Sequence, residues 1–375
     1  MSESQDKSKL NQLLAYGPFE LEGARRGTLF LEAMKEVSTL HIDHCPGYAK
    51  LCRSRGFEME RIGTSSDIPY VPASLFKNEL LLSIPEDKVF REITSSATTS
   101  GHSSRMGLDK ATSRRQSKCF NRIVVDRIGS ERFKFIVLDI PETLTRSLVV
   151  QARASTIRSL LFCANEAVPC LDQSDLGLTL DEAKLDELLD VAAESNERIA
   201  IFGFTFILYK YVVEMLMKRN RSFNLPNATI IHIGGWKKLE AEKVTPQKLI
   251  SDCCDTFGVE ESDIIDIYGF TEQGGLVYPT CEYGHRHVPC YADVIARDPV
   301  TLEALPPNKE GLLQFLTPIQ TSYPGHSVLT EDMGCIEHIV DCPCGRNAKA
   351  FRMTGRAPDA EIRGCGDIMA DKFAR

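Results

Sequence analysis

Short β-branched runs that alternate with amphipathic helical stretches constrain the fold of this chain most strongly. The last two of these runs are each followed by glycine and a turn. The runs are Phe133–Ile140, Arg198–Gly203, Ala228–Gly234 and Ile264–Tyr268. Helical patterns over Asp181–Asn196 and Phe204–Lys218 flank the second run on both sides. Strands that alternate with helices predict an α/β sheet covered by helices on both faces.

Two further regions differ from this pattern. Residues 1–60 are predicted to be helical, since Leu10, Leu13 and Leu14 have helix-like spacing. After Val288 the chain has two short apolar runs on either side of a turn rich in proline, asparagine and glycine. This pattern predicts a β-hairpin within a smaller β-rich lobe.

Composition excludes several classes of protein. The 375 residues include 44 Lys and Arg against 52 Asp and Glu, a net charge of −8, which argues against a general binder of nucleic acids or anionic membranes. The longest apolar stretch without charge, Ile199–Tyr209, has about half of the ~20 residues that a bilayer requires. The polar N-terminus lacks the apolar region of a signal peptide, and an odd number of cysteines, 13, indicates mostly reduced thiols. We therefore expect a cytoplasmic protein.

A hydroxyl-rich segment, TSSATTSGHSSR over residues 94–105, is the first candidate for chemistry. Its hydroxyls and backbone N–H groups suit phosphate oxygens, although the spacing of a Walker A loop is absent. The alternative interpretation is an exposed polar loop. The candidate phosphate ligands are Ser95, Ser96, Thr98 and Thr99, and Arg105 closes the segment.

Two candidates lie at the ends of predicted strands. The sequence YGFTEQGG over Tyr268–Gly275 follows one strand, and Glu272 there can hold a hard divalent cation. The alternative is an ordinary turn capped by Thr271. Gly234 and Gly235 in IGGW end another strand and would allow a flat ring to approach the backbone, unless they form only a tight turn.

Acidic and basic residues near the C-terminus complete the candidates. Thr330–Gly334 is predicted to be a turn in which Asp332 accepts hydrogen bonds from ribose hydroxyls, with a solvated acidic turn as the alternative. The sequence GRAPD, with Arg356 and Asp359, follows near the chain end.

The order of these motifs resembles the adenylate-forming superfamily of acyl-CoA ligases, nonribosomal adenylation domains and luciferases. From about Pro69 onward the chain looks most like the acyl-protein synthetases of the bacterial bioluminescence fatty-acid reductase complex, and next like phenylacetate–CoA ligases. The segments that carry this likeness include TSSATTSG, GGW, YGFTEQ, EGLLQFL, SYPGHSVLTEDMG and RGCGD. The resemblance implies the α/β large domain of an adenylate-forming enzyme, with helix-covered sheets, a smaller β-rich lobe and a truncated C-terminal lid domain.

The resemblance also implies an activity and its site. The implied reaction is activation of a carboxylic acid, expected to be a fatty acid, by ATP and Mg²⁺, which makes the chain an acid–thiol ligase. The hydroxyl loop would hold the ATP phosphates, and the glycine pair would flank adenine together with Trp236. Thr271 and Glu272 would bind the nucleotide phosphate and magnesium, with Tyr268 and Gly269 as further nucleotide-binding residues. Asp332 would bind the ribose, and Arg356 and Asp359 would mark a hinge.

Three departures from the superfamily pattern affect this interpretation. Ala97 and Ser100 stand where the family prefers glycines, and Arg363 stands in place of the usual lysine after the hinge. The sequence also ends soon after the hinge, where larger members continue into a lid that supplies a lysine. Arg105 and Arg356 are the candidates to stabilise charge instead.

We expect three parts: a helical segment over 1–60, a core over 61–355 with the lobe from about 288, and a hinge and tail over 356–375.

Cys365, between two glycines in RGCGD, is the candidate acyl acceptor. A thiolate can capture the carbonyl of an acyl-adenylate as a thioester. The resemblance implies that the acyl group then passes to a partner protein such as an acyl reductase. The alternatives are an incidental cysteine, a free-standing acyl- or aryl-CoA ligase, and a non-catalytic member of the fold.

A second cluster of thiols is a candidate metal site. Cys281, His287, Cys342 and Cys344 supply ligands suited to tetrahedral zinc, although their spacing is not that of a standard finger. The resemblance to phenylacetate–CoA ligases implies a structural metal here. His285 and Cys290 are substitute ligands, and reduced structural thiols are the alternative.

Overall fold

A computed structural model of the chain describes residues 8–95, 103–145, 149–174, 177–236, 242–339 and 341–357. Its helices are α1 Lys9–Leu13, α2 Gly23–His44, α3 Pro46–Ser54, α4 Leu75–Asn78, α5 Lys110–Ile128, α6 Ala152–Leu160, α7 Glu182–Ser195, α8 Thr205–Ile207, α9 Glu214–Lys218 and α10 Pro246–Phe257. Its strands are β1 Val71–Pro72, β2 Arg91–Thr94, β3 Arg105–Leu108, β4 Phe133–Val137, β5 Val149–Gln151, β6 Ala164–Pro169, β7 Leu171–Ser174, β8 Gly177–Leu180, β9 Ile199–Phe204, β10 Ala228–Ile233, β11 Ile264–Tyr268, β12 Tyr278–Pro279, β13 Arg286–His287, β14 Asp293–Arg297, β15 Gly311–Leu316, β16 Ser327–Glu337 and β17 Ala350–Arg356. None of these helices has both the length and the apolarity needed to cross a membrane.

The central sheet confirms the predicted alternation of strands and helices. Its strand order is β12–β11–β10–β9–β4–β6, and every neighbouring pair is parallel except β11 with β12. The carboxyl ends of β9, β10 and β11 therefore lie at one edge of the sheet, where ligands bind in open α/β folds. That edge carries the glycine pair and the YGFTE segment.

Apolar side chains cover both faces of this sheet. Along and just after β4, Phe135 and Val137 belong to one hydrophobic cluster, whereas Ile136 and Leu138 belong to the other. The first cluster also contains residues of α1, α2 and α5, and the second contains residues of α7 and α10. Since successive side chains of a strand point to opposite faces, each face has its own layer of helices.

The second cluster also surrounds one long helical segment. After α8 the chain continues through a π-helical turn, Leu208–Val213, into α9. The buried residues of this segment include Phe206 and Tyr209, and the Tyr209 hydroxyl donates to the Asp252 carboxylate on α10 at 2.5 Å. The predicted helix from 204 to 218 is therefore confirmed, with a local widening that the sequence pattern did not indicate.

The predicted β-rich lobe is a second sheet, ordered β13–β17–β16–β15–β14 with β1 added in parallel to β16. The hairpin β14–β15 confirms the turn predicted between the two apolar runs. Strand β1 pairs Val71 with Val328, so a segment from the first fifth of the chain completes the lobe. The lobe therefore packs against N-terminal chain as well as against the central sheet.

The prediction of an acidic turn at Thr330–Gly334 is wrong. These residues lie inside β16, which pairs with β15 on one side and with β17 on the other. Glu331, Asp332 and Met333 are only half-buried, and the register shifts between Met333 and Gly334. A partly exposed, bulged strand tolerates adjacent carboxylates, and this is why its sequence looks like a turn.

Candidate active site

The end of β11 places an acidic side chain in a buried setting. After Tyr268 the chain passes Gly269 into a single 3₁₀ turn, Thr271–Gln273, in which Thr271 is half-buried and Glu272 is 8% exposed. The Tyr323 hydroxyl donates to the Glu272 carbonyl at 3.0 Å and fixes the backbone of this turn. The Glu272 side chain is therefore held by a rigid turn at the sheet edge.

Burial raises the pKa of the Glu272 carboxyl. The Asp332 carboxylate acts in the same direction, whereas the Ser104 hydroxyl and the Lys77 ammonium lower that pKa. The motifs around residues 104, 272 and 332 are thus close enough to influence one another electrostatically. A buried carboxylate of this kind is a natural ligand for a hard divalent cation.

Tyr268, Asp332 and Arg356 form the best-defined contact between the predicted motifs. The Tyr268 hydroxyl donates a hydrogen bond of 2.7 Å to Asp332 Oδ2, and Arg356 Nε lies 3.4 Å from Asp332 Oδ1. Arg356 Nη2 also donates to Glu331 Oε2 at 2.7 Å. Burial and the nearby Asp332 carboxylate raise the pKa of Tyr268 well above its usual range, so its hydroxyl stays protonated and can donate.

The hydroxyl-rich segment starts and ends beside this site. At its base the Ser104 N–H donates to Ser95 Oγ at 2.8 Å, and the Ser95 N–H donates to the Ser104 carbonyl at 3.0 Å. The predicted phosphate ligands Ser96, Thr98 and Thr99 lie outside the described residues, as do Asp359 and Cys365.

Arg105 is in a different environment from the buried Glu272. Its guanidinium forms an exposed ion pair with Glu92, with Nε 2.7 Å from Oε1, across the hairpin β2–β3. The carboxylate raises the pKa of Arg105, but the group was charged in any case. The described contacts of Arg105 therefore hold the hairpin together.

The glycine pair lies at the carboxyl end of β10. Gly234 has a φ of +82°, and its carbonyl accepts a 2.6 Å hydrogen bond from Thr205 Oγ1. Gly235 has open space where a Cβ would be, as the approach of a flat ring requires. Trp236 instead belongs to the second hydrophobic cluster and packs edge-to-face on Tyr209 at 5.6 Å, so its described contacts are with the core.

The structure brings the four predicted zinc ligands together. The Sγ atoms of Cys281, Cys342 and Cys344 and a ring nitrogen of His287 all lie within 4.8 Å of one another. His287 Nδ1 is 3.1 Å from the Ala348 carbonyl, an arrangement in which Nδ1–H donates and Nε2 is left for a metal. Cys344 Sγ lies 3.3 Å from that Nε2.

The three thiols of this cluster differ in acidity, and burial raises the pKa of Cys281. Although burial opposes it, the Arg346 N–H and the Cys342 thiol lower the pKa of Cys344 to about 7, while burial raises the pKa of Cys342 to about 11. Three sulfurs and one imidazole are a common donor set for structural zinc.

The substitute ligands make other contacts. His285 Nδ1 lies 3.3 Å from a Glu337 carboxylate oxygen, and Cys290 Sγ donates to the Gly17 carbonyl at 3.2 Å. Neither residue belongs to the four-residue cluster. The first choice of ligands is therefore the set that the fold assembles.

Three residues around Glu272 did not emerge from sequence reasoning. Ser104 belongs to the hydroxyl-rich segment, and that density of hydroxyls was a usable signal. Tyr323, before β16, lies in the segment SYPGHSVLTEDMG that carries the family likeness, whereas Lys77 on α4 comes from an ordinary-looking segment. Only the position of Lys77 in the fold relates it to the site.

The sequence of this chain is similar to those of known proteins. Residues 4–374 match the model of the family described as acyl-protein synthetase, LuxE. A long-chain-fatty-acid–luciferin-component ligase of Vibrio harveyi is 25% identical over 344 residues, which are 91% of this chain and 87% of the relative. The ligase of that description from Aliivibrio fischeri is 23% identical over 82% of this chain and 79% of its own length.

Solved structures agree on the fold. An open conformation of 2-hydroxyisobutyryl-CoA ligase, in complex with 2-HIB-AMP and CoA, aligns with a TM-score of 0.69 at 16% identity and covers 94% of this chain and 83% of its own. The same ligase in its thioesterification state gives 0.69 at 17% identity, with coverages of 90% and 70%. These neighbours confirm the predicted adenylate-forming α/β fold. Together with the match over nearly the whole sequence, this shows that the chain belongs to the LuxE acyl-protein synthetase family.

Proposed function

We propose that this chain activates a carboxylic acid, expected to be a fatty acid, with ATP and transfers the acyl group to a protein cysteine. The observation that carries this proposal is the contact among Tyr268, Asp332 and Arg356, with Glu272 and Ser104 alongside. Residues from four separate motifs meet there at the carboxyl edge of the parallel sheet. The family match and the two luciferin-component ligases support the same reaction.

The proposed reaction has two steps. A carboxylate oxygen of the acid bonds to the α-phosphorus of ATP, and the bond from that phosphorus to the bridging oxygen breaks to release pyrophosphate. A thiolate then attacks the acyl carbonyl, a thioester forms, and AMP leaves with the electron pair of the broken bond. Mg²⁺, when bound, neutralises phosphate charge.

The residues of this chain bind and orient the nucleotide. The two oxygens of Asp332 are fixed by Tyr268 and Arg356, so the carboxylate is preorganised to accept hydrogen bonds from ribose hydroxyls. The buried Glu272 carboxylate would hold the magnesium ion. The guanidinium of Arg356, held by Glu331 and Asp332, supplies positive charge next to that carboxylate.

Incubation with ATP and a panel of carboxylic acids tests the first step. Pyrophosphate release should depend on the acid and should be lost in Asp332→Asn. Asp43→Asn, an isosteric change at an exposed position of α2, is the matched control and should leave the rate unchanged. Acid-independent pyrophosphate release, or equal rates in both variants, would contradict the proposal.

Intact-mass analysis of the same reactions tests the second step. Cys365→Ser should still release pyrophosphate but carry no hydroxylamine-sensitive acyl group, whereas Cys254→Ser should be acylated normally. Equal acylation of Cys365→Ser would remove this residue from the mechanism. An acyl-CoA product without acylated protein would instead favour a CoA ligase. Loss of the acyl mass on addition of an acyl reductase would support that class of partner.

We propose, in addition, a structural zinc ion at Cys281, His287, Cys342 and Cys344. The support is the donor set, its spread of at most 4.8 Å and the Ala348 carbonyl behind His287. Elemental analysis of purified protein should give about one zinc per chain. Cys344→Ser should lower that content, whereas Cys254→Ser should not. Protein without stoichiometric metal would rule the site out.

A further inference from the structure

A cleft away from the candidate active site lies at the C-terminal end of α3, beside the hairpin β14–β15. Its volume is about 380 Å³, and its lining includes Arg55, Phe57, Arg61, Tyr70 and Arg297. It shares no lining residue with the candidate active site. The cleft is notable for its charge, because three guanidinium groups face one small space.

Arg297 is the anchor of this cleft. It is 7% exposed, and no carboxylate of the described chain lies within ion-pair distance of its guanidinium. Its donors instead bind neutral acceptors: Nε donates to Gln314 Oε1 at 2.5 Å, Nη1 to the Leu302 carbonyl at 2.8 Å and Nη2 to the Ser66 carbonyl at 2.7 Å. Asp67 acts on Arg297 electrostatically but lies beyond ion-pair distance, and a buried cation without a direct ion pair is costly, so this position favours a bound anion.

Arg55 adds a second guanidinium to the cleft, against the Tyr70 ring. Its central carbon lies 4.3 Å from the centroid of the Tyr70 ring, and that of Arg297 lies 5.1 Å from the same centroid. One hydrogen bond, from Arg55 Nη1 to the Tyr70 carbonyl at 2.8 Å, fixes the exposed side chain. Burial and the charge of Arg55 lower the pKa of Arg297, whereas Tyr70 and Asp67 raise it.

The acidic residues of the cleft are already engaged. Asp67 Oδ2 accepts hydrogen bonds from the N–H groups of Gly63 at 3.0 Å and Thr64 at 2.7 Å. Glu58 pairs with Arg61 at 2.7 Å on the exposed rim. In the described chain, neither carboxylate forms an ion pair or a hydrogen bond with Arg297.

We propose that this cleft binds the phosphate group of a small molecule, between Arg55 and Arg297. Planar guanidinium groups donate paired N–H bonds that match the oxygens of phosphate, and the N–H groups of Arg297 that bind neither Gln314, Leu302 nor Ser66 supply such donors. The apolar ring of Phe57, which also lines the cleft, suits the organic part of a phosphorylated small molecule. This site is independent of the proposed ATP chemistry.

Isothermal titration calorimetry of the full chain tests the site, with chloride holding the ionic strength constant. Inorganic phosphate and glycerol 3-phosphate are the probes, and they separate free phosphate from an ester; glycerol and acetate are the comparison ligands. We expect saturable binding of at least one phosphate probe, weakened about tenfold or more in Arg55→Gln and in Arg297→Gln, since charge-assisted hydrogen bonds are lost. Arg53→Gln, an equal charge change on an exposed residue of α3 outside the cleft, should bind like the wild type.

Several results would overturn the proposal. These are the absence of saturable phosphate binding, equal affinity for acetate, and binding that survives Arg55→Gln, as phosphate held at the hydroxyl loop would. Equal weakening in Arg53→Gln would reduce the effect to general charge. If Arg297→Gln fails to fold by circular dichroism, the exposed Arg55→Gln decides the result alone.

Discussion

Replacing Tyr268 with phenylalanine removes a single hydroxyl from the candidate active site. The ring stacks on Phe315 at 5.4 Å and meets Phe351 edge-on at 5.9 Å, and phenylalanine retains both contacts. What disappears is the 2.7 Å hydrogen bond to Asp332. The substitution therefore tests how much the fixed orientation of that carboxylate contributes to ATP binding.

The magnitude follows from the kind of bond that is lost. A hydrogen bond to a charged group contributes about 1.5–3 kcal/mol, and about 1.36 kcal/mol corresponds to a tenfold change in rate. The full loss would lower kcat/KM for ATP between about tenfold and about 150-fold. Because Arg356 remains 3.4 Å from the other oxygen of Asp332, we expect the lower half of that range.

Tyr278→Phe is a matched control from the same aromatic cluster. The Tyr278 ring lies 6.3 Å from that of Tyr268, and its buried hydroxyl has no hydrogen-bond partner within the described parts of the chain. Its removal should leave ATP kinetics unchanged and should not lower the free energy of unfolding.

Initial rates of pyrophosphate release across ATP concentrations, with urea unfolding in parallel, provide the measurement. If Tyr268→Phe keeps the kcat/KM of the wild type, the reasoning about a preorganised Asp332 fails. If Tyr278→Phe loses as much activity, the effect belongs to the packing of the cluster and not to the hydrogen bond.

Three other perturbations address separate features. Glu272→Gln should abolish magnesium-dependent pyrophosphate release. It should also raise the free energy of unfolding relative to wild type, by an amount that grows as the pH rises above about 4.3. The reason is that burial raises the pKa of Glu272, so that only the wild type carries a buried charge at higher pH. Urea titrations across pH measure this difference. Gly325→Ala would place a Cβ 2.6 Å from the Glu272 carbonyl and against Tyr323, and should lower the free energy of unfolding in urea by about 1–3 kcal/mol. Gly27→Ala, in open space on α2, should raise that free energy by about 0.5–1 kcal/mol. A zinc chelator should lower the melting temperature of the wild type and leave that of Cys344→Ser nearly unchanged, as differential scanning calorimetry would record.

Local patterns predicted the parts of the fold whose cause is local. Strand β11 has the predicted bounds, Ile264–Tyr268, because a β-branched run ends at a glycine there. The hairpin β14–β15 likewise follows from two apolar runs and a turn. The acidic segment at 330–334 was misplaced because its conformation depends on two partner strands that no local window contains.

The candidate active site was also predictable only in part from the sequence. The resemblance indicated Tyr268, Asp332 and Arg356 separately, but not that the first would hydrogen-bond the second across 64 positions of sequence. Lys77 carries no signal of its own, since lysines are ordinary in short helices, and the motif that contains Tyr323 did not indicate a contact with the Glu272 carbonyl. Their relation to Glu272 arises only when the lobe, α4 and the central sheet are assembled.

The pairing of β1 with β16 has a consequence for biosynthesis. Val71 leaves the ribosome long before its partner Val328 has been translated, and the Pro18 carbonyl must likewise wait for the Cys290 N–H that it accepts at 2.6 Å. The nascent N-terminal third therefore carries unpaired strand edge and uncovered apolar helix through most of synthesis. Such chains are the expected clients of ribosome-associated chaperones, and slowing elongation should increase their aggregation.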